Sequence, residues 1–199
     1  MFRRALFATV VVFAFCFMSG FAVHAQQSAP DSQKVAQDVM KLMMPGENHA
    51  FLKNYVGDWQ IESAVIMAPG TAPQTSQSTS HAEMIMGDRF VMTRFMGTMF
   101  GQPFEGLQII GYDNIAKKYR SFWIDNGGTS FYTTSGKLDK TGKVLRETGQ
   151  WPNPMGKAQM PVRAVTRFTG PGEFTYELYM TGQDGKEFKA VENKAVIKK

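Results

Sequence analysis

The side chains able to do chemistry are few in this chain of 199 residues, and poorly assembled for it. Three histidines, His24, His49 and His81, and one cysteine, Cys16, form no His-X-X-X-His, His-Glu or Cys-His pair. Metal ligation needs several such donors at fixed spacing, so no metal site is expected. His49 stands in Glu47-Asn48-His49 at a short helix start, where capping or solvent exposure is the simpler role. His81 lies in a Ser/Thr-rich run and reads as exposed. Met84, Met86, Met92, Met96 and Met99 crowd two consecutive runs. Thioethers can hold Cu(I), but methionine without His or Cys more commonly fills irregular apolar space and lines adaptable cavities.

Charged groups offer another chemistry. Arg163 and Arg167 share one face of a run, while Glu105, Asp125 and Glu177 stand in others. Turned inward, they would make a charged floor able to grip a carboxylate or phosphate. Turned outward, they are cross-strand surface pairs worth little, which is the expectation for Glu177 and Arg167. No Ser-His-Asp set is legible. A Glu/Asp pair acting as general acid and base stays open, because many strands can bring distant carboxylates together.

The elements that must position these groups are announced by turns. Pro69-Gly70, Gly87-Asp88, Gly101-Gln102-Pro103, Asp113-Asn114, Asn126-Gly127-Gly128, 139–142, 152–154, Gly170-Pro171-Gly172 and Asp184-Gly185 recur at nearly even intervals. Between them lie runs rich in Val, Ile, Thr, Phe, Tyr and Trp. The runs predict strands over 58–68, 75–86, 89–99, 104–112, 118–125, 129–138, 144–151, 161–168, 173–181 and 187–197. Evenly spaced strands without long helices argue for an all-β, about ten-stranded antiparallel up-and-down barrel. Alternation is clearest where Phe174, Tyr176, Leu178 and Met180 share one face. Elsewhere both faces carry apolar residues, as where Phe122 and Ile124 oppose Tyr119 and Trp123.

Two short N-terminal helices precede the strands. Val35, Val39, Leu42 and Met43 repeat at helical spacing over 33–44, with Ser32 as cap and Pro45-Gly46 as stop. A second helix over 47–56 puts Ala50, Phe51 and Tyr55 on one side. Both are expected to close one end of the barrel.

The first residues read as an address. Arg3 and Arg4, the apolar stretch 5–17 and the small residues Val23 and Ala25 predict a signal peptide over 1–25. A polar leader and short helix follow over 26–45, and a single barrel domain fills 46–199. Cleavage leaves no cysteine and takes the formal charge from +5 to +3. The product is expected to be periplasmic or secreted and held by its core alone. No basic run suggests a nucleic-acid partner, and no stable membrane insertion is expected after cleavage.

Gly57-Asp58-Trp59, after a short helix and at the head of the first strand, resembles the Gly-X-Trp of lipocalin-like barrels. The resemblance implies structural roles for Gly57, which turns the chain, and Trp59, which plugs the base. It also implies that Lys194 or Lys198 covers the indole, a contact worth about 0.5–1 kcal/mol. From Gly46 to Lys189 the chain resembles the bacterial family DUF1579. That likeness rests on Gly57-Asp58-Trp59, 86–90 (Met-Gly-Asp-Arg-Phe), 101–106 (Gly-Gln-Pro-Phe-Glu-Gly), Gly111-Tyr112-Asp113-Asn114, Trp123-Ile124-Asp125 and 180–188. It implies a lipocalin-like or nitrobindin-like barrel with no established activity, cofactor or catalytic residue to carry over. Nitrobindin-like barrels hold haem through a histidine near the C-terminus, and this chain has none after His81. No cofactor is expected.

A barrel of this size encloses a chamber rather than a filled core. The reading is an exported soluble barrel that binds a small apolar or amphipathic molecule inside. Met92, Phe104, Trp123 and Tyr176 would supply wall, and Arg163 would meet a polar head; an inward guanidinium without a protein carboxylate beside it would need an anionic ligand or ordered water. The alternative is an isomerase or hydrolase using carboxylate, Tyr and Arg groups in that chamber. An outer-membrane barrel is disfavoured by charges on both strand faces, short turns at both ends and the Lys198-Lys199 ending.

Overall fold

The computed structural model describes residues 31–153, 156 and 159–198; the expected signal peptide lies outside the described residues. Helix α1 (Ser32–Met43) is capped by Asp31, whose carboxylate accepts from Gln33 N at 3.1 Å, one residue earlier than expected. Helix α2 (Glu47–Ala50) runs on into a 3-10 turn (Phe51–Tyr55). Ten strands follow: β1 (Gly57–Val65), β2 (Gln74–Ile85), β3 (Phe90–Met99), β4 (Gln102–Asp113), β5 (Lys118–Asp125), β6 (Tyr132–Leu138), β7 (Val144–Pro152), β8 (Gln159–Gly170), β9 (Glu173–Thr181) and β10 (Glu187–Ile197).

Each strand pairs antiparallel with the next, and β1 pairs with β10 to close the barrel, Trp59 opposite Ile197 and Ile61 opposite Ala195. Strand existence and order agree with the turn pattern. The largest boundary differences are three residues, at the end of β1, which stops at Val65 rather than 68, and at the start of β6, which begins at Tyr132 rather than 129. Asp125 accepts from Gly127 N at 3.0 Å, while Phe131 stays exposed against Phe122, so pairing resumes only at Trp123–Tyr132.

The two helices differ in what they bury. Phe51, Leu52 and Tyr55 pack with Ala82, Val91, Ile110, Tyr119 and Leu145 into one apolar cluster that seals an end of the barrel. Each fully buried side chain of this size contributes about 1.5–3 kcal/mol. Helix α1, expected to help close that end, buries none of its residues. It is tied to the outside by its C-terminal carbonyls, which no helical N–H can reach. Arg89 donates to Met43 O at 3.1 Å, and Asn114 donates to Leu42 O and Met44 O, each at 2.9 Å.

Gly57 and Trp59 stand at the turn into β1, beside the sealed end. Gly57 has φ +133°, a conformation side chains resist, and a Cβ there would meet Ile197 Cδ1 at 2.8 Å. Trp59 is 2% exposed and donates from Nε1 to Tyr55 O at 2.8 Å. Its ring neighbour is Phe174, 4.8 Å between centroids, and not a lysine. Lys194 sits opposite Glu62 on the outer face, between the inward Asn193 and Ala195, so strand alternation carries it away from the indole. Lys198 is exposed and bonds Asp58 O through its backbone.

Candidate functional site

Alternation along ten closed strands sends one residue in two inward. The inward set leaves a chamber of about 470 Å³ above the sealed end. Met67, Phe100 and Gly127 of the opposite loops, with Pro152 at the end of β7, line its open end. Met67 and Phe100 are exposed there, giving an apolar rim.

The walls have two characters. One is apolar: Met160, Val162, Ala164 and Leu178 form a cluster joined by Trp151, Tyr176, Met180 and Val191. The β1–β2 wall is hydroxylic, with Ser63, Ser76, Ser78 and Ser80 all lining the chamber. Between them Trp123 meets Phe95 edge-on at 5.1 Å and lies nearly parallel to Phe104 at 6.3 Å. Gly106 makes room for that indole, because a Cβ there would come within 2.3 Å of the Trp123 ring. Trp123 Nε1 donates to Asp125 Oδ2 at 2.6 Å, which fixes the ring at the chamber's side.

At the floor stands a carboxyl group, Glu147, 3% exposed. Its Oε1 accepts from Ser121 Oγ at 2.6 Å and Thr134 Oγ1 at 3.1 Å. Its Oε2 has no hydrogen-bond partner among the described residues. Burial pushes this carboxyl above the ordinary glutamate range, and the two hydroxyls pull it partly back. Tyr55 and Tyr176 share the floor, and their phenols are pushed upward by burial first and the nearby Glu147 second. Tyr55 Oη, with Thr166 beside it, makes no hydrogen bond of acceptable geometry, and neither does Asn193 Oδ1. The charged side chains lining the chamber are Asp125 and Glu147; among the described residues no Lys, Arg or His does so.

Of the residues chosen from sequence, Phe104, Trp123 and Tyr176 line the chamber. Met92 and Arg163 do not. Val91 and Thr93 take the inner face of β3, which turns Met92 outward opposite Glu83 and Ile109. Val162 and Ala164 do the same to Arg163. Its guanidinium is already satisfied outside: it donates to Glu187 at 3.0 and 2.6 Å and lies 3.7 Å from the centroid of the Tyr179 ring. Glu177 also points outward, bonded to Lys189 at 2.7 Å, with Arg167 at 3.7 Å. The methionines do not converge. Met84 packs at the sealed end and Met99 at the open end, while Met86 and Met96 are exposed. His49 caps α2, its Nδ1 accepting from Gly46 N at 3.0 Å, but is buried rather than exposed. His81 is exposed and bonded to Asp58 at 2.8 Å.

Sequence reading missed Glu147, the one fully buried carboxylate among the described residues. A signal was present: Leu145, Glu147 and Trp151 share a face of β7, so a carboxylate sits on the apolar side of its strand.

The family described as "Protein of unknown function (DUF1579)" matches residues 44–196. The chain belongs to DUF1579. In this DUF1579 chain the motifs behind the resemblance serve the scaffold and the chamber wall. Arg89 and Asn114 hold α1, whereas Phe104, Gly106, Trp123 and Asp125 build the aromatic side. Among solved structures, Rv2717c from M. tuberculosis is similar at 13% identity and TM-score 0.59, covering 78% of this chain and 100% of its own; this likeness concerns the fold. A redesigned beta barrel is 16% identical, at TM-score 0.39 over 76% of this chain and 95% of its own. No curated protein matches the sequence.

Proposed function

We propose that this DUF1579 barrel is an exported binding protein whose chamber holds a small apolar or amphipathic molecule. The observation that carries the reading is a chamber of about 470 Å³ whose walls are mainly apolar and whose floor has unpartnered polar atoms. That volume and lining fall in the ordinary range of small-molecule sites, about 300–1,000 Å³. The outer wall carries Glu62, Glu83, Arg94, Arg146 and Arg163, the reverse of a lipid-facing band, which supports an aqueous setting.

The test is titration with the neutral fluorophore N-phenyl-1-naphthylamine. Saturable one-to-one binding is expected, lost in Ser78→Trp, which fills the chamber from its serine wall. Equal binding by a folded Ser78→Trp protein would place the dye elsewhere and remove the reading. Export rests on Arg3, Arg4, the apolar stretch and Ala25. N-terminal sequencing of the mature protein is expected to begin at Gln26; an uncut chain in the cytoplasm would remove that part.

The floor also favours a second reading, acid–base catalysis by Glu147 with Tyr176. A neutral carboxyl in an apolar site is a proton donor suited to such work. Native mass spectrometry separates the two readings. A binding protein returns an added ligand unchanged, whereas an enzyme returns a product.

A further inference from the structure

We propose that the chamber selects a cationic amphiphile, an amine with an apolar body, whose ammonium sits against Glu147. This deepens the binding function proposed above and rests on it. The first support is the floor itself. Glu147 is buried, two hydroxyls occupy Oε1, and Oε2 is left without a partner among the described residues. A buried carboxyl in that state must either stay protonated or gain a cation. An ammonium supplies both the charge and the missing hydrogen-bond donor.

The second support is the charge inventory. Tyr55 from the 3-10 turn, Ser121 from β5, Thr134 from β6, Thr166 from β8 and Tyr176 from β9 surround the floor, and none carries positive charge. Asp125, the other charged side chain of the lining, is also an acid. A carboxylate ligand would meet acid with acid. Arg163, which an inward position would have made a partner for an anion, faces outward onto Glu187, so the acid at the floor calls for a cation.

The third support is shape. Trp59, Phe174 and Tyr176 stand in the lower chamber, and aromatic faces attract cations. From Glu147 to Trp151, β7 runs four residues, about 13 Å, which accommodates a chain of about ten carbons with its tail toward Met67 and Phe100.

The experiment measures displacement of N-phenyl-1-naphthylamine at pH 7.5 by n-decylamine, 1-decanol and decanoate. Decylamine is expected to bind at least tenfold more tightly than decanol, the scale of a hydrogen bond to a charged group. Decanoate should be weakest. Glu147→Gln should bring the amine-to-alcohol ratio to one or below, and Glu177→Gln, outside the barrel, should leave it unchanged. Lowering the pH should erode the ratio in the parent, since burial holds the Glu147 carboxyl above the ordinary glutamate range and it takes up its proton while the amine stays charged. Decanol equal to decylamine in the parent, or an unchanged ratio in a folded Glu147→Gln protein, overturns the amine and leaves the chamber as a neutral site. Failure of all three compounds and of the dye to bind overturns the chamber reading and the amine with it.

Discussion

Trp59→Ala is expected to lower stability by about 3–5 kcal/mol, the usual cost of truncating a buried Trp. The indole is 2% exposed, packs with Ile61, Ala195, Phe95, Phe174 and Ile197, and donates to Tyr55 O. Truncation opens a void among them and leaves a buried carbonyl without its donor, which places the loss toward the upper half of the range. Because Tyr55 belongs to the turn that seals the barrel, the same change loosens the floor of the chamber. For a domain of this size the melting temperature should fall by roughly 6–20 °C. Thermal unfolding of the two proteins followed by circular dichroism measures it. An unchanged midpoint would show that Trp59 is not the base plug its position suggests.

Stability of the parent relative to Glu147→Gln is expected to fall as pH rises. Burial holds the folded-state pKa of Glu147 above its ordinary 4.5. Between the unfolded and folded values the folded protein binds the extra proton, so its stability declines with pH at up to about 1.4 kcal/mol per unit. The decline begins near pH 4.5 and levels off once pH passes the folded value. The amide introduced by Glu147→Gln would keep an acceptor for Ser121 and Thr134 without titrating. The variant should match the parent near pH 4 and exceed it in the alkaline range. Asp113, Asp139, Glu177 and Glu187, whose carboxyls are held low by hydrogen bonds to backbone N–H groups, hydroxyls or basic side chains, stabilise in the opposite sense, but equally in both proteins. Urea midpoints of both proteins from pH 4 to 9 test this. A difference constant with pH would mean that Glu147 does not titrate with folding. An added amine that pairs with Glu147 should reverse the trend, linking this measurement to the identity of the guest.

Local chemistry determined much of this protein. Turn residues at even intervals set ten strands and their antiparallel order, because a short turn leaves a strand only its neighbour to pair with. Gly57-Asp58-Trp59 marked the base through its resemblance to lipocalin-like barrels, and in β9 clean alternation put Phe174, Tyr176, Leu178 and Met180 on one face, which closure of the barrel turned inward. Tertiary structure decided the rest. In β5, Tyr119 and Trp123 oppose Phe122 and Ile124, so a period of two reads equally well either way. Only closure of β1 on β10, between the two ends of the strand series, and the plug of Phe51, Leu52 and Tyr55 chose which set faces in. A one-residue choice of that kind exchanges the faces of a whole strand. It turned Met92 and Arg163 outward, where Glu187 neutralises the guanidinium, and placed Glu147 at the floor of an apolar chamber. The acid's meaning comes from burial and from its neighbours on other strands and the 3-10 turn, none of which its own stretch of sequence contains.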